Sequence, residues 1–203
     1  MRSRAWSRSP EADGLPRLFF ALWPDASVRS AISAAANRLP EPAGRRVPEG
    51  NLHLTLAFLG EVEPGALPRL EQAAADVAFT PFTVELDHVA VFAGARVRCL
   101  GASAPPPALA ALHDALTERL AQAAGLVDLA AAKAHPFTPH VTIERAIPPD
   151  ADPKPAALAE PIAWAVSQFV LVHSDRALGA GAYQRLGAWP KRGSRSEFTA
   201  FHR

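Results

Sequence analysis

Two segments of this chain, 87 positions apart, repeat one pattern: His53-Leu54-Thr55-Leu56 and His140-Val141-Thr142-Ile143. Each lies in an apolar, strand-like run. In a β-strand, residues two apart share a face. His53 and Thr55 therefore project together, while Leu52, Leu54 and Leu56 turn to the buried side. His140 and Thr142 do the same, backed by Val141 and Ile143. Two such strands meeting along one cleft place two imidazoles and two hydroxyls around one small volume. That set suits a phosphodiester, with two acid–base groups for the in-line atoms and two donors for the non-bridging oxygens.

The rest of the chain supplies elements for an α+β scaffold. Arg17 to Trp23 is a compact apolar run that predicts a central strand. Pro24-Asp25 offers a turn and a helix start, and Val28, Ile32, Ala35 and Leu39 recur at helical spacing. Pro40 to Pro48 reads as a loop. Asn51 to Leu59 is the first motif strand, ended by Gly60. Leu67, Leu70, Ala74 and Val77 predict a second helix. Phe82 to Leu86, Val89 to Phe92 and Val97 to Leu100 read as short strands, with a turn at Gly94. After Pro105-Pro106-Pro107, the residues Leu109, Leu112, Leu116 and Leu120 mark a third helix that ends near Gly125. Lys133 to Pro139 is a loop, and His140 to about Glu144 is the second motif strand. Pro148 to Pro155 reads as a connection. Gln168 to His173 and Ala182 to Trp189 read as the last strands, turned at Gly179-Ala180-Gly181. The motif separation is close to half the chain, which suggests a degenerate duplication with each half giving one His-x-Thr strand to a central groove.

Composition limits the partners. The 203 residues suit one domain, or two small lobes sharing a core, and 49% hydrophobic content is enough to pack it. A formal net charge of +1 argues against the strongly basic footprint of a long-duplex binder, and leaves room for a short or terminal piece of nucleic acid. The single cysteine, Cys99, excludes an internal disulfide and reads as a small buried residue. No apolar run approaches the ~18 residues of a membrane span. Met1 to Pro10 is rich in Arg and Ser and lacks the apolar stretch of a secretory signal. Residues 1–15 are expected to be a disordered extension, 16–190 a single bilobal domain and 191–203 a flexible tail, in a cytoplasmic protein.

A lone histidine on a strand is usually structural. Two of them, each with a threonine at the same offset, carry more weight. His88, His113, His173 and His202 lack such a threonine, and His113 and His202 read as solvated. His135 opens His-Pro-Phe-Thr-Pro-His, but Pro136 and Pro139 make that segment a rigid loop. His140 is therefore the motif residue, and His135 is expected at the entrance. No third ligand accompanies the two histidines in a zinc-type spacing, so no metal is expected. No glycine-rich phosphate loop is present, and no cofactor is expected. Strict alternation puts Arg145 in phase with Val141 and Ile143, away from His140, unless the strand has ended or bulges there. Arg145 reads either as a surface charge or as a phosphate clamp. Phe19, Phe20, Phe58, Phe137, Tyr183 and Trp189 are candidates to stack on a base, with Phe137 the first choice for a substrate wall.

These residues carry a specific resemblance. Arg17-Leu-Phe-Phe-Ala-Leu, Asn51-Leu-His-Leu-Thr-Leu-Ala-Phe-Leu-Gly-Glu61, Pro136-Phe-Thr-Pro-His-Val-Thr-Ile-Glu-Arg145 and the closing stretch Tyr183 to Trp189 resemble the two-histidine phosphoesterase superfamily. Within it, they resemble the RNA 2′,3′-cyclic phosphodiesterases, historically called 2′-5′ RNA ligases. The resemblance covers about Leu15 to Pro190 and departs from the family only trivially in the second motif, at Ile143. It implies two pseudo-symmetric antiparallel or mixed sheets with flanking helices around a central groove. It also implies metal-independent hydrolysis of a 2′,3′-cyclic RNA end to a 2′-phosphate. His53 would be the proton donor, His140 the proton acceptor, and Thr55 and Thr142 the phosphate-binding hydroxyls. The expected partner is RNA with a cyclic terminus, or a cyclic nucleotide, bound by a monomer without a membrane. Two other functions use the same residues. One is the joining of a cyclic end to a 5′-hydroxyl; the other is a catalytically silent RNA- or nucleotide-binding module.

Overall fold

Leu18, Phe20 and Leu22 alternate with Phe19 and Ala21 along the first strand, and all five are buried. A strand with no wet side must be central, and β1 (Arg17–Leu22) has a neighbour on each edge. The computed structural model describes residues 15–39, 44–124, 136–148, 155–175 and 182–190. The rest of the N-terminal extension, the C-terminal tail, His135, His202 and the Gly179–Gly181 turn lie outside them.

Among the described residues, nine strands and three α-helices follow in chain order. They are β1, α1 (Ala26–Asn37), β2 (Arg45–Arg46), β3 (Leu54–Glu61), α2 (Leu67–Ala75), β4 (Phe82–Phe92), β5 (Val97–Gly101), α3 (Pro107–Ala124), β6 (His140–Arg145), β7 (Ala156–Val166), β8 (Phe169–Asp175) and β9 (Ala182–Trp189). The spatial order is β7-β4-β5-β6-β3-β1-β8-β9, with β2 added beside β6. Every pairing described is antiparallel. The centre of this array is thin, because β3 and β6 join at one register pair, Leu54 with Val141. Apart from β2, two four-stranded leaves thus meet at a seam, one holding the first motif and one the second.

The leaves are not the two halves of the chain. The leaf of His140 is one continuous stretch, β4 to β7. The leaf of His53 takes β1 and β3 from the beginning and β8 and β9 from the end. Each half still contributes one motif strand, but the halves interleave.

One face of the sheet is covered by helices. Asp25 caps α1 by accepting the Val28 N–H at 2.9 Å, satisfying a donor the helix cannot. α1 turns Val28, Ile32, Ala35 and Ala36 toward β6 and β7, while α2 packs on α3 and β9. Leu109, Leu112, Leu116 and Leu120 of α3 are all buried in the main core with Leu54, Leu100 and Val141. The opposite face holds a smaller apolar cluster of Phe19, Ala21, Val170 and Val172, edged by Trp23 and Tyr183.

Several boundaries differ from the sequence expectation. The segment Phe82 to Phe92 is one strand rather than two. Gly60 does not end β3. Its φ of +70° continues the strand through a bulge, where Leu18 pairs with Gly60 and Phe19 with Phe58. Arg45–Arg46, expected in a loop, pairs with β6. A buried Glu144 carboxylate pins it there, accepting the Gly44 N–H at 3.0 Å and pairing with Arg98 at 3.1 Å. The sequence reading assigns no element between the connection at Pro148 to Pro155 and the strand from Gln168, and there the structure places β7.

Candidate active site

Leu54 and Val141 are both core residues, so their neighbours on either side stand on the open face. Counting antiparallel from that pair sets His53 level with Thr142 and Thr55 level with His140. Each histidine faces the other motif's threonine. The four side chains surround a pseudo-twofold axis through the seam.

The same local device aims both rings. His53 lies one residue before β3, after a single 3₁₀ turn at Glu49–Asn51, and its Nδ1 is 2.6 Å from the Asn51 carbonyl. His140 opens β6, and its Nδ1 is 2.8 Å from the Thr138 carbonyl. A carbonyl only accepts, so each Nδ1 carries a hydrogen and each Nε2 is left for the groove.

The surroundings of the two rings differ. His53 is 9% exposed and lies in an aromatic cage. Trp23 stacks on it at 5.6 Å, Phe19 lies at 4.9 Å, and Tyr183 meets it edge-on at 5.3 Å. His140 is half-buried and meets one ring, Phe92, at 4.9 Å. Burial is the main cause that pushes the His53 imidazole down to about 4; Arg145 and His140 add to it, and the Asn51 carbonyl opposes it. In the free protein His53 is therefore neutral at pH 7, with a bare Nε2.

Arg145 reaches this face through a bulge. Cys99 pairs with Thr142 but Arg98 pairs with Glu144, which leaves Ile143 unpaired on β6. The extra residue resets the alternation. Ile143 and Glu144 are both buried, and Arg145 emerges exposed on the side of His140, close enough to act on His53. Arg45 lies opposite Arg145 and is also exposed. Beneath the site, the buried Cys99 thiol, pushed up to about 12 chiefly by burial, donates to Thr142 Oγ1 at 3.8 Å. A hydroxyl that accepts from below keeps its own hydrogen for the groove.

Other predicted residues fall elsewhere. Phe137 stacks on His113 of α3 at 4.1 Å and packs on the helix-covered core. It is therefore not placed as a groove wall. His113, expected to be solvated, has a side chain only 15% exposed beneath that ring. Phe20 and Trp189 are core residues, and His173 is buried on β8. Phe58 is 53% exposed, stacked on Phe19 at 6.4 Å, with the Arg17 guanidinium 5.3 Å over it. The walls that sequence reasoning passed over are Trp23 and Phe92. Trp23 was legible, being in phase with Phe19 and Ala21. Phe92 was not, because its place follows from pairing with β5.

Comparison with known proteins agrees with this architecture. Residues 24–178 match the family model described as the 2′-5′ RNA ligase superfamily. The chain is 34% identical over 178 residues to an RNA 2′,3′-cyclic phosphodiesterase of Escherichia coli strain K12, covering 85% of this chain and 95% of that protein. It is 38% identical over 77 residues to a protein of the same name from Archaeoglobus fulgidus, covering 37% of this chain and 44% of that one. Among solved structures, E. coli LigT complexed with 3′-AMP superposes with a TM-score of 0.72 at 33% identity, covering 86% of this chain and 97% of that one.

Proposed function

The chain belongs to the 2′-5′ RNA ligase superfamily, and from that premise we propose that it hydrolyses a terminal 2′,3′-cyclic phosphate on RNA to a 2′-phosphate. The observation that carries the proposal is the crossed quartet at the seam, with both Nε2 atoms free for the groove. In-line displacement needs a base on one side of phosphorus and an acid on the other. His140 takes a proton from water, and His53 protonates the departing 3′ oxygen. Thr55 and Thr142 donate to the non-bridging oxygens, and Arg145 balances the charge that builds on them. RNA with a cyclic end, met in the cytoplasm by a monomer, is the substrate and setting this reading implies. Among the described residues no helix is long and apolar enough to cross a membrane.

The acid must be charged when it acts, yet His53 is neutral in the free protein at pH 7. The substrate resolves this. A cyclic phosphodiester is an anion, and an opposite charge within about 4–6 Å favours an imidazolium. It also offsets Arg145, one of the groups that hold the proton off. The proton is therefore loaded with the substrate.

The test is turnover of a short RNA ending in a 2′,3′-cyclic phosphate, with EDTA present and the product identified by phosphorus NMR. A 2′-phosphate, lost in His53→Ala and in His140→Ala, is the expected result. A 3′-phosphate, activity that survives either substitution, or activity abolished by EDTA overturns it.

A further inference from the structure

A third imidazole stands in the row of His140. His88 on β4 pairs with Gly101 on β5, and Gly101 pairs with His140 on β6. Residues directly opposite in antiparallel strands share a face. The adjacent row, Val89-Leu100-Val141, is buried in the helix-covered core. His88 and His140 therefore both stand on the open face, with backbones roughly 10 Å apart.

The ring of His88 reaches half-way across that interval, to Gly101. A Cβ built on Gly101 would lie 2.6 Å from His88 Nε2 and 2.7 Å from its Cε1. The far end of the imidazole thus rests over the glycine, one strand from His140. Only glycine leaves this space. The ring is also fixed from behind. Its Nδ1 lies 2.6 Å from Asp87 Oδ1. Asp87 in turn accepts the Ser103 N–H at 3.0 and 3.2 Å and the Ser103 hydroxyl. The carboxylate only accepts, so Nδ1 carries the hydrogen of that bond and Nε2 is the ring nitrogen turned toward Gly101. No part of the mechanism above uses it.

We propose that His88 orients the attacking water, its Nε2 accepting the hydrogen that His140 does not take. This rests on the reading of His140 as the base. The water oxygen bonds to phosphorus as the bond to the 3′ oxygen breaks. One water proton passes to His140 Nε2, the other stays on the new phosphate oxygen side, held by His88, and the proton on His53 goes to the 3′ oxygen. Water has two hydrogens for this clamp, whereas an alcohol has one. His88 therefore favours hydrolysis over attack by a hydroxyl, including the 5′-hydroxyl of a second RNA.

Product partition in aqueous methanol tests this. The methyl 2′-phosphodiester and the 2′-phosphate are counted from one cyclic-ended RNA. His88→Ala is expected to slow hydrolysis about tenfold, the worth of one oriented hydrogen bond, and methanolysis much less, so the ratio of methyl ester to phosphate rises several-fold. His88→Gln, which returns an acceptor at similar reach, restores the wild-type ratio. Gly101→Ala displaces the ring without removing it and shifts the ratio the same way as His88→Ala. Equal losses of both products in His88→Ala, or an unchanged ratio in Gly101→Ala, overturn the proposal, because a role confined to packing slows both nucleophiles alike. A wild-type protein that makes neither product overturns the parent reading, and this one with it.

Discussion

His53 and His140 occupy equivalent places about the seam, with the same carbonyl device behind each ring, yet one is caged and the other is open. Three aromatic rings surround His53, and one meets His140. Burial holds the first neutral in the resting protein. A repeated motif thus fixes where two like groups stand, and the wall residues around them decide how far each is desolvated. In the proposed mechanism, packing would divide the two roles while the side chains stay alike.

The largest effects probe this division directly. Removing either imidazole is expected to lower kcat about 10²–10⁴-fold. Added imidazole should then restore part of the rate in His140→Ala, whose site is open, and little in His53→Ala, whose cage stays closed by Trp23 and Tyr183. Equal rescue of the two variants would break the comparison.

Folding stability is the next lever. His53 has a folded value near 4, below the 6.5 of a free imidazole. Its contribution is fully present above pH 6.5 and is lost as pH falls from 6.5 toward 4, because only the unfolded chain takes up the proton readily. The loss is about 3 kcal/mol at the low end. Denaturant unfolding at pH 7 and pH 4.5 should show that slope in the wild type and a flatter one in His53→Leu. An unchanged slope in His53→Leu would assign the acid sensitivity elsewhere.

The smallest effects concern the hydroxyls. Thr55→Val and Thr142→Val are each expected to cost about 10–100-fold in kcat, the worth of a hydrogen bond to a charged group. Cys99→Ala, which removes the donor beneath Thr142, should cost only about two- to threefold. Steady-state rates on one cyclic-ended RNA check the ranking, and a Cys99→Ala loss as large as that of Thr142→Val would refute the supporting role of the thiol.

Much of this was legible in the chain. The two motifs, the buried faces of Leu54 and Val141, the Asp25 cap and the leucine stripe of α3 all follow from local periodicity. What was hidden depends on partners. Ala156–Val166 carries Pro161 and buries Ile162, Trp164 and Val166 in the core, with Leu158 half-buried against it. It is an edge strand, where proline is tolerated. The register jumps there, from Leu86 opposite Ile162 to His88 opposite Ala157, leaving Pro161 unpaired. Arg145 was doubtful for the same reason: the bulge that swings it to the groove is set by β5, 44 to 48 positions earlier in the chain. Phe137 looked like a wall because it adjoins the motif, but adjacency in sequence does not choose a face, and His113 took it.

The interleaving of the leaves has a consequence for how the molecule comes into being. A ribosome releases the chain from its beginning, and the leaf of His140 has all its strands once Val166 has emerged. The leaf of His53 must wait for both parts of its own frame, because β8 and β9 follow every strand of the other leaf. Tyr183, one side of the cage around His53, arrives with them. A nascent chain therefore carries His53 well before Tyr183 arrives to close its cage.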